Sequence, residues 1–576
     1  MRMMRNLTAG LLLASTVVPA LAQFDGPAPL AWRWIQPSRV APGGSPLVDG
    51  NNIYYSLEGR VYCIDKSSGN LRWRYPAVDP IAGVFRSAPI ISNGVLIATG
   101  DNKVIYGIDP NTGVGKWQSP LPDRVLGQPV SAGKFVVQAL SNNSFVAFNP
   151  ADGTSAWETP FQAYDGIFGG ISTFKDELLY FTNRYELVSL NVATRKANWK
   201  SRPVSQLPAG AIPVTFGEQI YVVSGPFVIG FNANSGLPKW QTPLNEQLAF
   251  APVVTAASLL VVSREGKVIL LDPINGKKLN NKPIDLKSIP LVRPTVAGDK
   301  HIVLTSNGGV NLIDTTKGEL LWTYLIRPLP GANTTGQNTG GEGGGQSGLG
   351  GGPSGSGFGG PAGSGFGAPG GRGGGQGSPG GQFGQGNNAN TTPTQIFTIQ
   401  AAAPAVLTGT TLLVPAKDGS LLAFDKESGV DLTGPKVSLL FPNAGDQVNG
   451  VLGLDFYFKV EDEAAGVKED TIKVDIDGVA YEHTFGREGI AVVRILATVG
   501  KNKPLSKEGR RVITVTATDW LGNTTKQVFA VTVDNTLPKT KLPTANNNNP
   551  FGGPGGGPGG LGGVGGGKGP GGGGGN

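Results

Sequence analysis

Short apolar runs broken by turn residues recur from about residue 30 onward. In one stretch Ala88-Pro89-Ile90-Ile91 is followed by Val95-Leu96-Ile97-Ala98, then by Val104-Ile105-Tyr106-Gly107-Ile108, then by a turn and Trp117. Runs this short, rich in β-branched residues and bounded by Gly, Asn and Asp, predict strands rather than helices. The same grammar returns with a period near 41 residues through the first 430 positions, so the chain is read first as a repeat array.

Eight copies align on their turn. CIDKSSGNLRW ends at Trp73, GIDPNTGVGKW at Trp117, AFNPADGTSAW at Trp157, SLNVATRKANW at Trp199 and GFNANSGLPKW at Trp240. LLDPINGKKLN puts Asn280 at the tryptophan position, LIDTTKGELLW restores it as Trp322, and AFDKESGVDLT ends on Thr433. The Asp or Asn heading each turn stands at 65, 109, 149, 191, 232, 272, 314 and 425, giving steps of 40 to 44 until a last step of 111. That last step exceeds one period by about 70 residues, which is a loop inserted into the array. Asp65, Asp109, Asp272, Asp314 and Asp425 therefore recur at one structural position. A carboxylate there accepts local backbone N–H bonds while the glycine that follows takes positive φ, so turn capping is expected and catalysis is not. The tryptophans are expected to pack between neighbouring units, each burying on the order of 200 Å².

Four short strands per copy make a propeller blade, so the array predicts an all-β fold, an eight-bladed β-propeller over residues 23–434. The eighth copy has no outer tryptophan strand. Leu30-Ala31-Trp32-Arg33-Trp34-Ile35, near the N-terminus, is an unassigned strand with a tryptophan to supply, assigned here to Trp34. It is expected to complete the eighth blade, which closes the ring and removes open sheet edges. From Lys436 the period stops but alternating strands continue, at Lys436 to Phe441, Leu454 to Val460, Ile472 to Ile476, Ile490 to Thr498, Arg511 to Thr518 and Lys526 to Val533. This pattern predicts a β-sandwich over 435–538.

Composition changes the picture in two places. Of the 90 glycines, 28 lie between Gly331 and Asn390 and 18 between Lys541 and Asn576. Such tracts lack the apolar area that offsets ordering entropy of roughly 1–2 kcal/mol per residue, so the insert (331–393) and the tail (539–576) are expected to be disordered. The net charge of +7 falls to +3 once residues 1–22, 331–390 and 541–576 are set aside. No dense Lys/Arg run or interleaved aromatics appear, which excludes a nucleic-acid role. Met1 to Ala22 has Arg2 and Arg5, the apolar run Leu11 to Val18 and the ending Ala20-Leu21-Ala22, the layout of a cleaved export signal. No other stretch is apolar for 18 residues, so no transmembrane helix is expected. Cys63 is the only cysteine, which rules out an intramolecular disulfide, a CxxCH haem site and multi-cysteine zinc.

The AxDxxTGxxxW-like copies resemble the PQQ-like propeller repeat of quinoprotein alcohol dehydrogenases and BamB-type outer-membrane assembly proteins, over roughly Ala31 to Thr433. LFPNAGDQVNG, ATDWLGNT and VDNTLP resemble bacterial Ig-like domains appended to secreted and surface proteins. The resemblance implies an exported, non-catalytic, monomeric scaffold that binds envelope or outer-membrane proteins through propeller loops. An adhesin-like module that binds glycan or matrix through the sandwich is the alternative, and a divergent PQQ-dependent dehydrogenase is the third reading. For a quinoprotein dehydrogenase the resemblance would imply adjacent disulfide-bonded cysteines, calcium held by Glu, Asn and Asp, and a catalytic aspartate. One cysteine forbids the disulfide and no motif carries the other residues over, so no cofactor, catalytic residue or metal ligand is assigned. BamB-type proteins are anchored by a lipidated N-terminal cysteine. The residue after the expected cut here is Gln23, so the expected location is periplasm, cell envelope or medium without that anchor.

The remaining candidates carry bland readings beside sharp ones. His301 and His483 are too few for a histidine metal cluster, no GxSxG elbow supports a triad, and His301 after Asp299-Lys300 is expected at an exposed strand end. Cys63 is expected to be a small buried hydrophobe. Asp475-Ile476-Asp477-Gly478 lacks the further ligands of an EF-hand loop and predicts a hairpin turn. Glu461, Asp462 and Asp519 are the stronger calcium candidates. In the insert, Phe358 and Phe366 could act as aromatic contacts, and the GxGxxG matches there precede no helix.

Overall fold

A computed structural model describes residues 24–329 and 398–541, apart from 281, 287, 298, 299, 315, 316, 487, 488 and 499. The expected export signal, the insert with Phe358 and Phe366, and the tail beyond 541 lie outside the described residues. Every described element is a strand, and among the described residues no helix is long and apolar enough to cross a membrane.

Residues 47–325 form seven consecutive four-stranded antiparallel sheets, each wound outward in chain order. The second is typical, with Ile90–Ser92, Val95–Gly100, Val104–Ile108 and Gly115–Pro120 paired in that order. An eighth sheet takes Val406–Thr408, Thr411–Pro415 and Leu421–Phe424 from beyond the insert and adds Leu30–Trp34 as its outer strand. Leu30 pairs with Phe424 and Trp34 with Leu421, antiparallel. The N-terminal strand thus lies where the ring-closing expectation puts it.

Burial follows position in each blade. Second strands such as Val95–Gly100 are buried throughout, because both faces meet neighbouring sheets, and the sequence accordingly reads as an unbroken apolar run. Outer strands such as Gly115–Pro120 alternate with solvent. A separate hydrophobic cluster joins each sheet to the next. Tyr54 and Cys63 of the first meet Leu96 and Tyr106 of the second. The series returns on itself: Leu413 and Leu421 of the eighth sheet pack with Ile53 and Tyr55 of the first. Leu422 and Phe424 face Leu312 and Trp322 of the seventh.

Two blades depart from the pattern. In the third, the outer strand is only Phe161–Gln162, beyond the tryptophan position. Ser155 Oγ donates to the Trp157 carbonyl at 2.6 Å, which closes a local loop there. In the sixth, which has Asn280 where other copies have tryptophan, the outer strand is likewise late, at Ile284–Asp285. The Asn280 amide takes over ladder bonds itself, accepting from Leu270 N–H at 2.9 Å and donating to the Val268 carbonyl at 3.3 Å.

Residues 436–533 form two sheets around one core. Lys436–Phe441, Leu454–Glu461, Ile490–Ile495 and Thr484–Phe485 make the first. Gln447–Val448, Thr524–Val533, Gly509–Asp519, Val467–Ile476 and Val479–Tyr481 make the second. Phe456, Phe458 and Val493 of one sheet meet Ile513, Val515 and Val531 of the other. Alternation found six of these strands; the three-residue and two-residue ones were too short to read.

Candidate functional site

The repeated residues bind blade to blade. Asp109 Oδ1 accepts the N–H groups of Asn111 and Thr112, and those bonds hold its carboxyl below the usual range. Asp65 does the same with Ser67 and Ser68. Its hydrogen bonds from the Ser67 hydroxyl and Arg72 hold it lower still. Asp272, Asp314 and Asp425 accept from the backbone of their own turns in the same way. The chain then turns through a glycine at positive φ, Gly113 at +71°, on which the previous blade's tryptophan rests; a Cβ there would lie 2.5 Å from Trp73 Cδ2. Trp73 Nε1 donates to the Pro110 carbonyl of the same turn at 3.2 Å. Trp117 reaches Pro150, Trp157 reaches Val192 and Trp199 reaches Ala233 in the same register. Trp240 packs on Gly276. Each tryptophan thus acts on the turn of the following blade.

The N-terminal strand supplies this contact with Trp32. Its Nε1 donates to the Lys66 carbonyl at 3.0 Å, and a Cβ on Gly69 would lie 2.7 Å from its ring. Trp34, given the repeat role from sequence, is instead buried between blades against Tyr55 and Tyr62. The reason is alternation: neighbours two apart share a face, and only register decides which of the two falls over the next turn. Arg33, between them, bonds Asp418 and Ser420 and donates to the Arg327 carbonyl at 2.8 Å.

Trp322 breaks the series. It does not sit on a turn of the eighth blade; its Nε1 donates at 2.9 Å to the Ala465 carbonyl, in a loop of the C-terminal sheets. Tyr324 Oη donates to the Glu463 carbonyl, and Leu30 N–H to the Ala464 carbonyl. From the other side Trp520 Nε1 donates to the Thr323 carbonyl. Three successive carbonyls thus receive the propeller, and Asp462 presents them, since its Oδ1 accepts the N–H groups of Ala464, Ala465 and Gly466.

Asp462 lies among carboxylates. Asp519 Oδ1 accepts from Leu521 and Asn523 N–H, and its Oδ2 from the Asn523 amide. Asp431, on the segment leaving the eighth blade, accepts from Thr433 through Oδ1. Oxygens of Asp431, Asp462 and Asp519 lie within 4.8 Å of one another. Burial raises the Asp431 and Asp462 carboxyls above the ordinary range, and their charged neighbours add to this. Glu461, grouped with two of these from sequence, points elsewhere and pairs with Lys459 at 2.7 Å. Asp431 was missed because it sits where the eighth copy's repeat decays. Its Asp-x-Thr turn was the available signal.

Other candidates resolve individually. Cys63 is buried and its thiol is pushed up to about 12 by burial. His301 is fully buried, contrary to the exposed strand end expected of it. It pairs with Ile313 within a second strand, and such strands have no solvent face. His483 stands far along the chain in the C-terminal sheets, where burial lowers its pKa. Asp477 and Gly478, both at positive φ, form the hairpin turn between Ile476 and Val479. The late outer strand of the third blade leaves a cleft of about 360 Å³ lined by Pro120, Leu121, Val146, Phe148, Trp157 and Pro160.

The chain is 24% identical over 298 residues to the outer membrane protein assembly factor BamB of Moranella endobia (strain PCIT), covering 48% of this chain and 73% of that one. Among solved structures it is similar to BamB from Moraxella catarrhalis, with a TM-score of 0.46 and 12% identity over 68% of this chain and 99% of that one. A europium-containing methanol dehydrogenase is similar with a TM-score of 0.41 and 15% identity over 51% and 80%. A family model described as outer membrane protein assembly factor BamB matches residues 27–167 and 183–341, more than half of the chain. With its turn-and-tryptophan repeats and its succession of four-stranded sheets, the chain belongs to this BamB family of β-propeller proteins.

Proposed function

We propose that this protein is a non-catalytic, exported scaffold that holds envelope proteins together, with outer-membrane assembly proteins as its partners. The observation that carries the reading is the family match across residues 27–167 and 183–341. The placement of the repeated polar residues supports it: Asp65, Asp109, Asp272, Asp314 and Asp425 are each committed to capping a turn. A propeller built this way keeps its frame rigid and leaves the connecting loops to carry recognition. The test is crosslinked affinity capture of the mature protein from its native envelope fraction, beside a version lacking 331–393. Recovery of outer-membrane assembly proteins supports the scaffold. Their loss on deleting the insert assigns recognition to the glycine-rich tract. Recovery of no protein overturns the reading in favour of a glycan or cofactor ligand.

A further inference from the structure

We infer that Asp431, Asp462 and Asp519 hold a calcium ion where the propeller meets the C-terminal sheets. The three carboxylates come from three separate segments: the stretch leaving the eighth blade, the loop that receives Trp322, and the turn before Asn523. Their oxygens gather within 4.8 Å of one another, a spread spanned by an ion with Ca–O distances of about 2.4 Å.

A gathering of acids alone would not point to a ligand, but Asp431 adds a separate observation. The residue is only 9% exposed, and its Oδ2 is buried without any hydrogen-bond partner. Local turns do not account for that oxygen, because the Thr433 bond is taken by Oδ1. A buried carboxylate oxygen without a donor is costly unless a cation or proton meets it. Asp462 and Asp519 are fixed from behind by backbone N–H groups through Oδ1, which orients both carboxylates before any ion arrives. An all-oxygen donor set selects a hard cation over zinc or copper, and calcium accepts irregular sets of six to eight oxygens that water can complete. Bound there, the ion ties the end of the ring to the loop whose carbonyls receive Trp322, Tyr324 and Leu30. The inference is independent of the scaffold reading.

The experiment is calorimetric titration of the chelator-treated mature protein with calcium chloride, at neutral pH and physiological salt, with thermal melts in calcium and in chelator. One saturable calcium per chain is expected, with a higher melting temperature in calcium. Asp431→Asn keeps the Thr433 bond and should keep the circular-dichroism spectrum while weakening calcium binding by about tenfold or more, since affinity follows ligand charge. Asp65→Asn, remote in the first blade, should bind like the wild type. Absence of both heat and melting shift up to about 5 mM calcium, beyond the weakest extracellular calcium modules, overturns the site. Binding undiminished in Asp431→Asn overturns it as well. So does a calcium-independent rise in the melting temperature of Asp431→Asn, which would mean that the cluster holds a shared proton. If Asp431→Asn fails to fold, the wild-type titration decides.

Discussion

Trp322 Nε1 donates to the Ala465 carbonyl across 143 residues, at 2.9 Å and fully buried. Every other tryptophan of the array that makes this bond directs it to the turn of the next blade. The seventh directs it out of the propeller, so the C-terminal sheets stand in the place of a neighbouring repeat turn.

Trp322→Phe keeps most of the ring but removes the donor and leaves the Ala465 carbonyl unsatisfied. The expected loss is about 1–3 kcal/mol, read as a lower denaturant midpoint. Faster proteolysis near residue 434 should accompany it. The same change at Trp240, whose Nε1 has no partner, should cost less.

Two glycines with one backbone conformation should respond differently to alanine. Gly113 and Gly94 both have φ of +71°, but a Cβ on Gly113 meets the Trp73 ring while Gly94 faces open space. Gly94→Ala is expected to cost about 1 kcal/mol, the left-handed penalty alone. Gly113→Ala adds overpacking, for a total of about 2–4 kcal/mol. Equal effects in urea unfolding would refute the stacking account.

Deleting residues 24–36 removes Trp32, Trp34 and Arg33 and leaves Leu421–Phe424 as an open edge. The melting temperature should fall by several degrees by calorimetry, at about 1–2 °C per kcal/mol for a unit this large and a loss of several kcal/mol. An unchanged melt would sink the ring closure.

Cys63 should be inert to a thiol reagent such as dithionitrobenzoate in the folded protein, because it is buried with its thiol raised to about 12. One thiol per chain should react on unfolding, which makes it a probe of the first and second blades.

The Asp65 carboxyl is held below its unfolded value of 3.8 by Ser67 and Arg72. Its stabilisation is therefore present above pH 3.8 and lost as pH falls below that value. Asp65→Asn should cost up to about 1 kcal/mol at pH 6, as expected for a partly exposed pair. The difference should shrink at pH 3, seen by comparing urea midpoints at the two values.

The repeat made most of this architecture legible. Turns spaced by 40 to 44 residues fixed the blades, and the missing outer strand after Thr433 pointed to Leu30–Trp34. Legibility ended where a decision lay outside the repeat. Alternation could not tell Trp32 from Trp34, since register along Leu421–Phe424 decides that. Asp299-Lys300 looked like an exposed turn before His301, yet the strand Lys300–Leu304 is buried throughout. Of the carboxylate cluster, Asp462 and Asp519 were legible as a pair, but Asp431 comes from a third segment and took the place given to Glu461, which pairs with Lys459 instead.

The N-terminal strand also orders events in time. Arg33 and Ser420, bonded in the finished eighth sheet, are 387 residues apart. A chain made from its N-terminus must keep its first strand unpaired until Leu421–Phe424 has been made, and contacts this distant form slowly. Any product cut short before Leu421–Phe424 would carry two unsatisfied sheet edges. Synthesis of the eighth sheet is thereby coupled to closure, and chains truncated before it are left marked for aggregation or proteolysis.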